Sequence, residues 1–171
     1  VIVTPASKKV YLEALEEAVK ILGKGSVTTH LIVGLGESEE DIVRTIQWCV
    51  KNGIYPSLFA FTPIPGTMME DYPTPRIGTY RRVQLAQYLI THSIAKYDDM
   101  KFKDGHLVSF GVPREDLENI IETGEAFRTS GCPGCNRPYY NERPGGLIYN
   151  YPRDPRLEEI AEIKNQIHVT A

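Results

Sequence analysis

Apolar positions recur at helical spacing in the opening stretch, where Tyr11, Leu15, Val19 and Leu22 make one stripe. Ser7 can cap this helix and Gly23 stops it. The period then changes. Ser26 to Val33 (SVTTHLIV) is rich in β-branched residues and reads as a buried strand. Gly34-Leu35-Gly36-Glu37 is a tight turn, and Ser38 caps a second helix whose first turn carries Glu39, Glu40 and Asp41. Ile42, Ile46, Cys49 and Val50 give its inner face, and Asn52-Gly53 ends it. Ser57 to Thr62 (SLFAFT) is the next predicted strand, followed by a Pro-rich loop from Pro63 to about Ile77. Val83, Leu85, Ala86, Leu89, Ile90 and Ile94 predict a third helix from about Tyr80 to Tyr97. His106 to Phe110 is a weaker strand, and Pro113 suits the start of a short helix to about Glu122. Gly124 to Pro152 has no period. A last helix begins at Asp154 or Pro155 and carries Leu157, Ile160, Ile163 and Ile167.

Helices alternating with strands across short turns predict an α/β fold with a parallel sheet and right-handed crossovers. Three such units are about half of a (β/α) TIM-like barrel, here with an irregular C-terminal extension. Half a barrel leaves open edges and an uncovered inner face. The expected partner is therefore a missing N-terminal half, a second copy or another protein. The opening Val1-Ile2-Val3, without an initiator Met, is read the same way, as a cut inside a longer chain.

Composition narrows the function classes. The formal net charge of −3 leaves no nucleic-acid footprint and no polybasic membrane patch. No apolar run reaches the ~18 residues of a membrane span, and no secretory signal is present. Three cysteines, Cys49, Cys132 and Cys135, are a poor disulfide framework and fit a reducing, cytoplasmic setting. Cys49 lies on an apolar helix face and reads as core.

In parallel α/β folds, chemistry gathers at the C-terminal ends of the strands. Two turns stand there, His30-Leu31-Ile32-Val33-Gly34-Leu35-Gly36-Glu37 and Thr62-Pro63-Ile64-Pro65-Gly66-Thr67. Gly34 and Gly36 allow close backbone approach to a ligand, Glu37 brings a carboxylate to the rim, and Pro63 to Gly66 form a stiff shelf. Further on, Gly131-Cys132-Pro133-Gly134-Cys135 is a C-x-x-C turn able to aim two thiolates at one metal. A redox dithiol or two idle thiols are the alternatives. Two ligands do not complete a metal site, so Ser130, His106 or cysteines elsewhere would have to contribute. Arg128 and Arg137 flank the pair, where cations stabilise thiolates.

The first turn resembles the G-x-I-x-G-x-x-E motif on the fifth barrel strand of radical S-adenosylmethionine (radical SAM) enzymes. The match covers Ile32, Gly34 and Glu37, while His30 replaces the first glycine. His30 either touches substrate or cofactor, or is a structural histidine. The second turn, Phe61 to Thr67, is similar to the P-I-P-G-T stretch after the sixth strand of biotin synthase and its relatives. The resemblance implies that Ile32, Gly34, Glu37, Phe61, Thr62, Pro63 and Gly66 serve S-adenosylmethionine. It also implies that residues 1–123 are the C-terminal half of the barrel and 124–171 a Cys-containing extension. The family's C-x-x-x-C-x-x-C loop for the radical SAM 4Fe–4S cluster is not in this sequence, so its ligands belong to the missing N-terminal half and this fragment alone should be inactive.

The tail resembles that of archaeal biotin-synthase-like proteins similar to components of a two-protein lipoyl synthase. By that resemblance Cys132 and Cys135 bind an auxiliary 4Fe–4S cluster whose sulfide is consumed, with Arg128 and Ser130 as catalytic candidates. The implied activity is insertion of sulfur into an unactivated C–H bond by a radical SAM sulfurtransferase. Its substrate would be an octanoyl group on a lipoyl-domain or H-protein carrier, with a partner radical SAM subunit. Biotin synthase acting on dethiobiotin, and a non-catalytic zinc-knuckle interaction module, are the competing readings.

Overall fold

The computed structural model describes residues 5–130 and 145–167. Helix α1 (Pro5–Leu22) leads into strand β1 (Val27–Val33), helix α2 (Glu39–Lys51) and strand β2 (Ile54–Ala60). The two strands pair in parallel, from Val27 opposite Ile54 to Val33 opposite Ala60. α2 is thus the crossover of a βαβ unit. Helix α3 (Ile77–Thr91) follows the Pro-rich loop. Then come a hairpin of β3 (Lys101–Lys103) and β4 (His106–Ser109), helix α4 (Arg114–Thr123) and helix α5 (Leu157–Gln166).

Local chemistry accounts for the start of α2. Ser38 is extended, its Oγ accepts from the Asp41 amide at 3.1 Å, and the Asp41 carboxylate accepts from the Ser38 amide at 3.2 Å. This reciprocal cap holds α2 directly after the first turn. In β1 the buried Val27, Thr29 and Val33 alternate with the exposed Thr28, His30 and Ile32. The helices cover the first set. Leu15, Ala18 and Val19 of α1 pack with Val27, Cys49 and Ile54, while Val33 and Leu58 join Val43 and Ile46 of α2 and Leu85 and Leu89 of α3.

The same core takes in Phe127, Tyr149, Tyr151, Ile160 and Ile163, so the described part of 124–171 packs against α3. Arg81 makes this mount. It is 1% exposed, donates to the Ile148 carbonyl at 2.6 Å and to Gln84 Oε1 at 2.7 Å, and lies over the rings of Phe127 and Tyr151. Gln84 adds bonds to the Tyr149 carbonyl at 2.9 Å and to Asn150 Oδ1 at 3.0 Å.

The α/β class and the parallel pairing agree with expectation, but the described residues form two two-stranded sheets and no closed barrel. The expected third parallel strand, His106–Phe110, is half of an antiparallel hairpin instead. Its turn is Asp104-Gly105, with φ of 51° and 78°, the pair of positive values that a two-residue hairpin turn demands. β2 begins three residues before the expected Ser57 because Pro56 is accommodated within it. The Leu58 amide points away from β1, to Ser130. Pro56 has the same parity, so its missing N–H falls on that side and no ladder bond is lost. α3 stops at Thr91, not Tyr97, because Ser93 turns left-handed at φ 58° and the Ile94 amide closes back on the Leu89 carbonyl at 2.8 Å.

Candidate functional site

The two turns singled out in the sequence lie side by side at the C-terminal ends of β1 and β2. The Phe61 amide donates to the Val33 carbonyl at 2.8 Å and joins them. In the first turn the Glu37 carboxylate folds inward, accepting from the Gly34 amide at 2.7 Å and the Leu35 amide at 2.9 Å. Glu37 is therefore the clasp of its own turn. Gly34 has φ of 107°, and a Cβ there would sit 3.0 Å from Pro75 Cδ. Its lack of a side chain serves packing of the Pro-rich loop, where the sequence had pointed to ligand approach.

The loop folds back over the turn. Tyr72 meets the Phe61 ring edge-on at 6.1 Å, and Tyr149 Oη donates to the Pro75 carbonyl at 2.8 Å. Beyond Pro63, the Gly66 amide donates to Glu70 Oε2 at 2.6 Å, and Thr67 Oγ1 donates to the Ile64 carbonyl at 2.8 Å. Thr62 Oγ1 reaches the Ala60 carbonyl at 3.5 Å. Ile64, Pro65 and Gly66 are exposed, so the shelf stands out from the strand end.

Helices α1, α2 and α3 pack against the face of Val27, Val33, Ile54 and Leu58, and Gln87 of α3 also donates to Tyr55 Oη at 3.3 Å. The other face carries Thr28, His30 and Ile32 from β1 and Tyr55, Ser57 and Phe59 from β2. Ile32 is 39% exposed. The His30 and Phe59 rings lie 4.5 Å apart, and the Thr28 and Ser57 hydroxyls pair at 3.1 Å. With the half-buried Phe61, Ile32 offers an apolar place beside the turns. The described residues do not fit an iron–sulfur cluster. Among the described residues no group of three or more His, Cys, Asp or Glu could hold a metal ion.

Cys132 and Cys135 lie outside the described residues. Ser130, just before them, is described. Its Oγ accepts from the buried Leu58 amide at 2.9 Å, on the side of β2 opposite β1. From Leu58 to the strand end at Ala60 is about 7 Å. The Arg128 guanidinium is turned to Asp154 Oδ1 at 3.0 Å, and the Thr129 amide pairs with the Tyr151 carbonyl at 2.9 Å. His106 is placed beside Glu39, its Nδ1 3.4 Å from Oε1. Cys49 is 1% exposed, and burial pushes its thiol up to about 11.

Sequence reasoning missed Glu39. It is 3% exposed and accepts from Arg82 Nε at 2.9 Å and from the Leu107 amide at 2.8 Å. Burial acts to raise its pKa, but the bonds from Arg82 and Leu107 outweigh this and hold the carboxyl below its ordinary value. Glu39 fastens the start of α2, and so the first turn, to α3 and the hairpin. Three consecutive acidic residues at a helix start signal only the dipole.

Among curated proteins, 65 residues of the chain match the bacteriochlorophyllide c C-7(1)-hydroxylase of Chlorobaculum limnaeum at 34% identity. The match covers 38% of this chain and 16% of the hydroxylase, so the chain spans about a sixth of that relative. No family model and no solved structure matches. Among the described residues, no helix is long and apolar enough to cross a membrane.

Proposed function

We propose that this chain is part of a radical SAM enzyme that functionalises an unactivated C–H bond. The observation that carries the reading is the pair of turns, Gly34–Glu37 and Pro63–Thr67, at adjacent parallel strand ends beside the exposed Ile32. The partial likeness to the hydroxylase supports a radical SAM relation at this coarse level and does not favour lipoyl or biotin synthase. With its cluster, S-adenosylmethionine supplies a radical able to remove hydrogen from such a carbon. This chain's part is to bind and orient. Ile32 and Phe61 offer apolar contact to the adenine, the clasped Gly34–Glu37 turn fixes the strand end, and Pro63 to Gly66 hold the neighbouring backbone rigid.

The finer reading is sulfur insertion by a lipoyl synthase component acting on an octanoyl-carrier protein, with a partner radical SAM subunit and the cluster-binding half supplied from outside these residues. Cys132 and Cys135 would hold an auxiliary cluster, with Arg128 stabilising its negative charge. The attachment of Ser130 to β2 supports this, because it fixes the residue before the cysteine segment beside Leu58, about 7 Å from the strand end at Ala60. Dethiobiotin is the alternative sulfur acceptor. A second reading, favoured by the name of the matched relative, is placement of a hydroxyl group on carbon.

The test is iron and acid-labile sulfide per chain in the anaerobically reconstituted full-length protein, with and without Cys132→Ala/Cys135→Ala. Sulfur insertion predicts a fall from about eight irons to about four, the loss of one of two 4Fe–4S clusters. Unchanged iron in the double variant removes sulfur insertion and leaves hydroxylation. Zinc alone, with no iron, would make the pair a zinc knuckle. Absence of 5′-deoxyadenosine after reduction with S-adenosylmethionine overturns the radical SAM reading itself.

A further inference from the structure

The Pro-rich loop between β2 and α3 returns across both strand-end turns before α3 begins. Pro75 is buried, and its ring lies against Gly34, where a Cβ would stand 3.0 Å from Pro75 Cδ. Tyr72 lies over the same turn, its hydroxyl 3.8 Å from where a Cβ on Gly36 would be, and its ring meets Phe61 of the other turn edge-on at 6.1 Å. Residues 72–75 thus bridge the two turns. Earlier in the loop the backbone bonds are short in range, from Thr67 to Ile64, Glu70 to Thr67 and Tyr72 to Met69. Such bonds shape a loop without pressing it onto its neighbour.

The Pro75 carbonyl is met from a distant part of the chain. Tyr149 Oη donates to it at 2.8 Å, across 74 residues. Tyr149 is 7% exposed, its own carbonyl accepts from Gln84 Nε2 at 2.9 Å, and its ring stands edge-on to Tyr80 at 5.0 Å. Both of those partners belong to α3. The core therefore holds the hydroxyl out to the loop as a fixed donor, and its removal takes a bond from a buried carbonyl. On the far side of Pro75, the Gly34 amide is clasped by Glu37 at 2.7 Å. The seat of the loop and the form of the turn are thus set at one residue.

We propose that Tyr149 is a positioning residue whose hydroxyl holds Pro75 down on Gly34 and so keeps the two turns in the arrangement that takes S-adenosylmethionine. The assignment rests on the radical SAM reading above and goes beyond it, because it gives the stretch after the cysteine segment a part in cofactor binding. Tyr149 acts through Pro75 and does not itself touch the cofactor.

The experiment compares Tyr149→Phe with Tyr80→Phe in the anaerobically reconstituted full-length protein. Each takes one hydroxyl from the same buried core, Tyr80 Oη donating to Asn150 Oδ1 at 3.2 Å, so Tyr80→Phe reports what a merely structural loss does. Equilibrium dialysis reads S-adenosylmethionine affinity, and hydrogen exchange reads the Gly34 and Leu35 amides. Tyr149→Phe should weaken binding by about three- to tenfold, the range that loss of one net hydrogen bond gives, and speed exchange at both amides while iron content stays at the wild-type level. Tyr80→Phe should leave both readouts within about twofold of wild type, inside the smallest effect expected of the lost bond. Pro75→Ala keeps the carbonyl and removes the ring from Gly34. It should weaken binding too, and adding Tyr149→Phe to it should cost little more, since both act through one contact. Equal effects of the two tyrosine variants, wild-type affinity in Tyr149→Phe, or full additivity with Pro75→Ala would overturn the proposal. Should Tyr149→Phe fail to fold, wild-type affinity in Pro75→Ala overturns it alone. Wild-type protein that does not bind S-adenosylmethionine saturably is a separate outcome. It removes the radical SAM reading and the cofactor role with it, while the exchange rates at Gly34 and Leu35 still tell whether the hydroxyl seats the loop.

Discussion

Replacing Glu39 should loosen the whole mount of the first turn. The carboxylate is 3% exposed and is held by Arg82 Nε at 2.9 Å and by the Leu107 amide at 2.8 Å. Glu39→Ala strands both donors. Arg82, 14% exposed at its side chain, keeps its charge without the carboxylate, and Leu107 is 2% exposed. Breaking a buried pair by removing one partner costs about 3–5 kcal/mol, a large share of the ~5–15 kcal/mol that holds a domain folded. Glu39→Gln keeps the shape and one acceptor, so its expected loss is smaller, about 1.5–3 kcal/mol for a charge-assisted bond made neutral. The sign of the pH dependence follows from the lowered carboxyl. Its contribution is complete above the ordinary value of 4.5 and disappears as pH falls through the lower folded value. Urea titrations of the full-length protein at pH 7 and at several values below 4.5 measure both effects. The gap between wild type and Glu39→Gln should be widest at pH 7 and narrow on acidification. A Glu39→Ala variant within about 1 kcal/mol of wild type at pH 7, inside the scatter of ordinary surface substitutions, would refute the reasoning. So would a gap that widens in acid.

Three further outcomes are expected. Ser130→Ala should destabilise by about 1–3 kcal/mol, because the buried Leu58 amide loses its acceptor; hydrogen exchange at Leu58 should speed up, and Ser130→Thr should restore it. Gly34→Ala should cost more than Gly66→Ala in thermal denaturation. Both carry positive φ, worth about 1–3 kcal/mol of strain, but a Cβ at Gly34 also runs into Pro75 while one at Gly66 meets open space. The Cys49 thiol, pushed up to about 11 by burial, should stay unlabelled by N-ethylmaleimide at pH 8 until the protein is unfolded, as peptide mapping would show.

What could be read in advance divides along the range of the interactions. The cap at Ser38, the stop of α2 before Gly53 and the alternation in β1 are decided within a few residues, and the structure keeps them. The Asp104-Gly105 hairpin was equally local. The apolar run from His106 has the same pattern in a parallel and an antiparallel strand, and only the Asp104-Gly105 turn separates the two. The clasp of Glu37 on the Gly34 and Leu35 amides is also short in range. A carboxylate at that distance can point either way, and nothing in residue spacing separates a clasp from a ligand-facing group. Arg81 and Gln84 are different in kind. They have the same residue types as a solvated helix face, yet both are buried against carbonyls more than sixty residues away. No window of sequence around α3 contains those partners.

The same distinction bears on where function can be sought. Local signals placed Ile32, Gly34 and Phe61 at neighbouring strand ends, and they did so because a βαβ unit forces the C-terminal ends of its two strands together. The described residues on either side of the cysteine segment are held by long-range contacts instead. Ser130 is tied to Leu58 across 72 residues, and Arg81 holds Ile148 across 67. One contact fixes the chain just before residues 131–144 and the other just after them. Both are made to the core that also carries the strand ends. Loosening either mount while leaving Cys132 and Cys135 in place therefore separates position from ligation. If the pair serves chemistry beside β2, Ser130→Ala should lower turnover of the full-length protein while its iron content stays at the wild-type level. A loss of iron equal to that of the double cysteine variant would instead make Ser130 a ligand and not a positioning residue.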